Sequence, residues 1–231
     1  MSIELHPKLI PYIKLVDFLG SVMGTHCEVV LHDVRNIENS IVAIKNSQIS
    51  NRKEGGPLTD LALKILKDKS YVKKDFLINY SGRTEDGNIV RSSTFFIKGS
   101  EGEVLGMLCF NMDVSYMVDA RNILDSIING LTEVSSNGLH LHGHIPGEKN
   151  NPIEGFHTTI EELTESIIIK ALSETTISAE RMSPDEKIDI IKQLNEQGIF
   201  LIKGSVSEVA KYLKTSEATI YRYLNKIDSK Q

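Results

Sequence analysis

Residues 205–225 constrain the chain more than any other stretch, because two apolar repeats of helical period stand there with room between them only for a sharp turn. In the first repeat Val206, Val209, Ala210 and Leu213 fall at i, i+3, i+4 and i+7 and share one face. Ser205 and Glu208 have the capping-box spacing, so a helix is predicted to start at Ser205. Ser216 is placed to cap a second helix whose inward positions are Ile220, Tyr223 and Leu224. Helices crossing steeply over so short a turn need a small residue where their backbones approach, and Ala210 stands there. Lys214 occupies the turn position where glycine often supplies a positive φ, which predicts a looser turn.

A unit of this shape is a helix-turn-helix, and its second helix is expected to read the major groove of double-stranded DNA. Ser216, Glu217, Ala218, Thr219, Tyr221, Arg222 and Asn225 are the candidate DNA-binding residues. Short side chains at the helix start allow close approach, and longer donors follow behind them. Charge points the same way. Residues 203–231 carry six Lys or Arg against three Asp or Glu, a net +3, while the preceding 202 residues carry 20 against 28, a net −8. A polyanion is attracted to one end only. The competing structural reading is a helical hairpin that caps another domain.

The upstream sequence is rich enough in apolar residues to build a domain of its own: 40% of the 231 residues are hydrophobic and 25% charged. Cys27 and Cys109 both lie in apolar, strand-like runs, which fits a reducing compartment better than a disulfide framework. With neither a leader-like N-terminus nor an apolar run near the roughly 20 residues that span a bilayer, a cytoplasmic protein is expected.

Leu5, Leu9, Ile13 and Val16 predict an N-terminal amphipathic helix ending at Gly20. Residues 27–34 and 40–46 are short and rich in β-branched side chains, and predict a hairpin. A polar loop over 50–57 leads to a helix over 58–67 with Leu61, Ala62, Ile65 and Leu66 inward. Three more strands follow over 75–80, 88–98 and 103–113, joined by turn signals of which Asp86-Gly87 is the strongest. The order predicts an α+β fold: an antiparallel sheet of about five strands with flanking helices, followed by the all-α C-terminal unit.

Specific stretches carry a resemblance: EVVLHD over 28–33, GGPLTD over 55–60, NYSGRTEDGNIVRSSTFFIKG over 79–99 and LCFNMD over 108–113. Together they resemble the YheO-like PAS domain of bacterial DauR-type transcriptional regulators. The run MSPDEKIDIIKQLNEQGIFLIKGSVSEVAKYLKTSEATIYRYL over 182–224 is similar to the DNA-binding half of that family. The resemblance implies a PAS-like sensor joined to a helix-turn-helix, and hence transcriptional regulation; it fixes the scaffold and leaves the effector open. The expected division is 1–130 for the sensor with its exit helix, 131–158 for a linker and 159–231 for the DNA-binding domain.

Met117, Ala120, Leu124, Ile127 and Leu131 recur at three and four residues on the exit helix, which either packs on its own domain or joins a second copy. A homodimer is expected. In the linker His140, His142 and His144 alternate and could meet His157, but flexible loops collect histidines and no metal is expected. Beyond it a helix is predicted from Thr159 with Ile160, Leu163, Ile167 and Ala171 on one side, and another from the Ser183 to Glu186 capping box to Gly198.

Within the sheet, polar residues in apolar strands mark a candidate effector site: Arg91, Ser92, Ser93, Thr94 and Asn111. Arg91 and Ser93 alternate with Ser92 and Thr94, so the two pairs face opposite ways. Arginine offers a fork to a carboxylate, either on a small polar or anionic effector or on an internal partner such as Asp33 or Asp113. The functional alternative is a thiol or metal-dependent enzyme built on the sheet, with Cys109 as nucleophile, His32 as base and the C-terminal helices used for assembly. No orienting third group marks such a site. No Asn-Cys-Arg-Phe flavin run, axial haem histidine or Gly-Lys-Ser/Thr phosphate loop is present, so no bound cofactor is expected.

Overall fold

The computed structural model describes residues 5–129, 153–175 and 177–228. Five strands form an antiparallel run: β1 (Cys27–Asp33), β2 (Ile41–Lys45), β3 (Phe76–Arg83), β4 (Ile89–Lys98) and β5 (Val104–Asp113). A sixth, β6 (Ile153–Gly155), lies parallel to β3, giving the order β2-β1-β5-β4-β3-β6. This strand comes from the stretch read as linker, so the sheet is mixed and one strand larger than expected. Three residues are too few for a period to register, and the pairing joins segments about seventy residues apart.

Strand alternation sorts the sheet into two faces. On the outer face Cys27, Val29, Leu31, Ala43, Ile97 and Leu108 pack with Val16 of α1 (Ile10–Met23) and with Leu9 just before it. This helix runs past Gly20, where the sequence predicted its end, and stops at Gly24, whose φ of 82° breaks it. Gly20 serves packing instead. A Cβ there would come within 2.4 Å of Lys45 Cγ on β2.

The inner face meets α2 (Asp60–Asp68), whose Leu61, Ala62, Leu63 and Ile65 are buried. From α2 one apolar cluster continues without a break into the C-terminal helices α4 (Ile160–Ser173), α5 (Pro184–Glu196), α6 (Ser205–Tyr212) and α7 (Glu217–Asp228). Residues 199–202 join this core through Ile199 and Ile202, while Leu201 faces solvent. One close approach is at Gly198. It takes a φ of 79°, and a Cβ there would stand 2.8 Å from the Leu63 carbonyl oxygen.

The capping box predicted at Ser183 forms with Glu186 and opens α5 with Pro184 in its first turn, and a further box, Thr159 with Glu162, opens α4. The expected box at Ser205 does not form. Gly204, at φ 80°, is the residue before α6, and the Ser205 hydroxyl is buried with no hydrogen-bond partner among the described residues. The exit helix α3 (Ser115–Asn129) does not cover its apolar seam: Met117, Leu124, Ile127 and Ile128 are all exposed. Leu131 and the histidines 140, 142 and 144 lie outside the described residues.

Candidate nucleic-acid interface and sensor interior

The turn between α6 and α7 is closed by bonds of neighbouring backbone. Thr215 N–H donates to the Ala210 carbonyl, and Lys214 takes the positive φ of 49° itself. Lys187 of α5 reaches across to donate its Nζ to the Leu213 carbonyl at 2.9 Å, capping the end of α6 with a positive charge. Ser216 Oγ accepts from Thr219 N–H at 3.2 Å, as its capping position requires, and the two hydroxyls are 2.9 Å apart.

From that start α7 buries Ile220, Tyr223 and Ile227 against α5 and α6. The opposite side is left to solvent. Ser216, Glu217, Ala218, Tyr221, Arg222 and Asn225 are exposed and Thr219 is half-buried. The Arg222 guanidinium lies 5.4 Å from the Tyr223 ring centroid, a cation–π contact that steadies it without covering its donors. Ala210 is buried at the crossing and Leu224 is half-buried at the edge.

Inside the sheet the five effector candidates divide. Ser92, Thr94 and Asn111 point inward and are buried; Arg91 is exposed on the other face with its Nη2 toward Met112 Sδ, and Ser93 Oγ accepts from Asn79 N–H. Asp33, offered as an internal partner for Arg91, is bound by Arg35. Thr94 is fully engaged, 2.8 Å from the Tyr80 hydroxyl and 3.2 Å from Cys109 Sγ.

Asn111 belongs instead to a polar group around Glu28 and Arg52 that sequence patterns did not single out, and Ser92 stands opposite it in the register of β4 and β5. Glu28 of β1 accepts from Asn111 Nδ2 at 2.8 Å and from Arg52 Nη2 at 2.9 Å, both on Oε1, while Ser50 donates to its other oxygen. Neither ionic side chain exceeds 1% exposure. Arg52 is also held by Ser50 Oγ and stacks 4.7 Å from the Phe156 ring centroid. Across the same interior Glu154 of β6 accepts from Thr59 Oγ1, the hydroxyl that caps α2. Burial raises the Glu154 carboxyl to about 7, against the lowering effect of the Thr59 hydrogen bond and of Arg52.

Glu28 was visible as a charge inside a β-branched run. Arg52 sits in a loop that reads as polar and solvated, and nothing local announces its burial. Glu154 falls in the supposed linker.

The proposed thiol chemistry finds no support in the geometry. Burial pushes the Cys109 thiol up to about 12, so it stays protonated near neutral pH. His32 is held well below its ordinary value by burial and then by Arg52, and its Nδ1 is hydrogen-bonded to Ser40 Oγ. It pairs in register with Met107 rather than with Cys109. Among the described residues no group of three His, Cys, Asp or Glu is placed to hold a metal ion, and no helix is long and apolar enough to cross a membrane.

The comparison with known proteins follows the same division. Residues 3–129 match the model of the YheO-like PAS domain, over half of the chain. The chain belongs to the YheO-like PAS domain family. Residues 163–225 match a helix-turn-helix domain model. Protein YheO of Escherichia coli is 28% identical over 218 residues, 94% of this chain and 84% of its own length. A Haemophilus influenzae protein is also 28% identical, over 95% of this chain and 91% of its own. The transcriptional regulator DauR of Pseudomonas aeruginosa is 23% identical over 98% of both chains. This YheO-like protein thus follows its relatives through both domains.

Proposed function

We propose that this protein is a DNA-binding transcriptional regulator, in which α7 reads operator DNA and the PAS-like sheet takes a small effector or mediates association of two copies. The observation that carries the reading is the asymmetry of α7: its apolar side is locked to α5 and α6, and its polar side, from Ser216 to Asn225, is open. The relationship to the regulator DauR along almost the whole chain supports it. On this reading residues 1–130 sense, residues 159–231 bind DNA, and the segment between them returns to the sensor sheet through β6.

Each face residue has a role that its chemistry fits. Arg222 is placed to reach a guanine edge or a phosphate, Asn225 to contact adenine or backbone, and Glu217 to accept from a cytosine amino group, so that the helix start discriminates rather than merely attracts. Ala218 permits close approach and contact with a thymine methyl. Two copies related by a twofold axis would set half-sites about one helical turn apart, or a multiple of it.

The experiment is binding to fragments of the protein's own promoter region at several salt concentrations. A saturable shift that weakens steeply with salt is expected. Arg222→Ala should lower affinity roughly tenfold to a hundredfold with circular dichroism unchanged. Equal, weak binding to every fragment by both proteins would remove α7 as a reading helix.

A further inference from the structure

Between the sensor sheet and the helix that opens the C-terminal core stands β6, a strand held by few contacts. Its three residues pair with β3 at the edge of the sheet. Gly155 N–H donates to Asp60 Oδ1 at 2.8 Å, and the buried Phe156 lies under the Arg52 guanidinium. From there the chain passes directly into α4.

The middle residue of this strand is an acid, and Glu154 is only 4% exposed. A carboxylate removed from water in this way needs a cation close by or a full set of donors. The groups that face it fall short of both. Thr59, at the cap of α2, donates to Oε1, and the Tyr80 hydroxyl of β3 is hydrogen-bonded to the carboxyl as well. Arg52 attracts it from the loop, but its ion pair is with Glu28, at 2.9 Å, and its Nε is held by Ser50. Asp60, at the start of α2, repels a second negative charge and is itself offset by Lys170 and His157. Cys109 of β5 is a neutral thiol and offers no charge. Hydroxyl partners serve the neutral acid as well as the anion, whereas burial beside Asp60 opposes the anion alone. The carboxyl raised to about 7 agrees with this arrangement.

We propose that β6 is a pH-gated strap: with Glu154 neutral it lies against β3 and the start of α2, and ionisation of Glu154 favours its detachment into water. The docked strand holds the proton more tightly than the detached one, so docking is favoured at low pH and weakens as pH rises through about 7. An edge strand of three residues can leave without breaking the ladders of β1 to β5. Its departure would free Thr59 and Asp60, whose oxygens also hold the first N–H groups of α2. That helix meets Gly198, between α5 and α6, at the Leu63 carbonyl. Rising pH would therefore loosen the tie between the sheet and the C-terminal core, whatever either of them binds.

Hydrogen exchange on the full chain without DNA reads this directly. The Gly155 amide reports detachment, because its bond to Asp60 goes with the strand, and the Val30 amide, on a strand paired on both sides, reports global unfolding. Protection at Gly155 should lie at least about tenfold below that at Val30. Corrected for the intrinsic rate, it should fall about tenfold more between pH 6 and 8. In Glu154→Gln it should change less than about twofold over that range. Equal protection at Gly155 and Val30 would mean that β6 opens only with the whole fold, and would overturn the strap. So would protection at Gly155 that is constant with pH in the native chain, or a pH response that survives in Glu154→Gln. The first two outcomes are read on the native chain alone and do not depend on how the variant folds.

Discussion

Ser205 shows how much a single hydroxyl depends on where its helix begins. One residue further along than a cap, its oxygen is buried with no partner among the described residues, and burial without a partner is the unfavourable state of a hydroxyl. Ser205→Ala should therefore leave stability unchanged or raise it by up to about 1 kcal/mol, where loss of a true cap would cost about 1 kcal/mol. Urea denaturation gives the sign. The spacing from Ser205 to Glu208 matches the boxes at Thr159 and Ser183, and only the preceding Gly204, able to take φ 80°, moved the helix start by one residue. Glu154 makes a second prediction. Its carboxyl is raised to about 7 in the fold and stands near 4.3 when unfolded. The folded chain thus binds the proton more tightly, and the stabilising contribution is complete below about pH 4.3 and lost as pH rises through about 7. Arg52, Asp60 and Tyr80 face the carboxyl from the loop, helix and strand around it. Relative to Glu154→Gln, the native protein should lose on the order of 1 kcal/mol per pH unit between about pH 5 and 7 and no more above about pH 8. A pH-independent difference in urea midpoints would mean that the carboxyl titrates normally.

Helices and long strands were legible in the sequence because their signals are local. The apolar period of α4, the capping box of α5 and the β-branched runs of β1 and β2 each lie within a few residues of the structure they specify. What depends on distant partners was not legible. β6 is three residues long and exists only because β3 offers it an edge, and Gly20 reads as a helix stop until Lys45 is seen packed on it. The alternation of β4 divided Arg91 and Ser93 from Ser92 and Thr94 correctly, but which face was inner followed from where α1 and α2 settled. Gly198 belongs to the same class. It meets α2 across more than a hundred residues and at a backbone angle that suits glycine. Gly198→Ala should cost about 1–3 kcal/mol, and hydrogen exchange should show α2 and the residues 199–202 opening together. Exchange unchanged at α2 would mean that the sensor and the C-terminal core are joined elsewhere.

At the scale of the whole molecule, on the proposed regulator reading, one second copy would answer both the exposed seam of α3 and the half-site geometry of a helix-turn-helix. Ile127 and Ile128 are 72% and 77% exposed, with Met117 and Leu124 on the same helix also open. Single exposed apolar residues are ordinary, but a row of them along one helix marks an interface. A net charge of −5 works against binding a polyanion except through the +3 end, so a lone copy would hold DNA weakly and a pair would add the two half-sites by effective concentration. The double substitution Leu124→Glu and Ile127→Glu places like charges across a twofold seam and leaves the inner core untouched. Sedimentation equilibrium should then show monomer in place of dimer. Affinity for a two-half-site operator should fall by about a hundredfold or more while binding to a single half-site stays within about twofold of the native chain. A double variant that remains dimeric would move the interface to α1, where Phe18 and Val22 are exposed on the side away from the sheet.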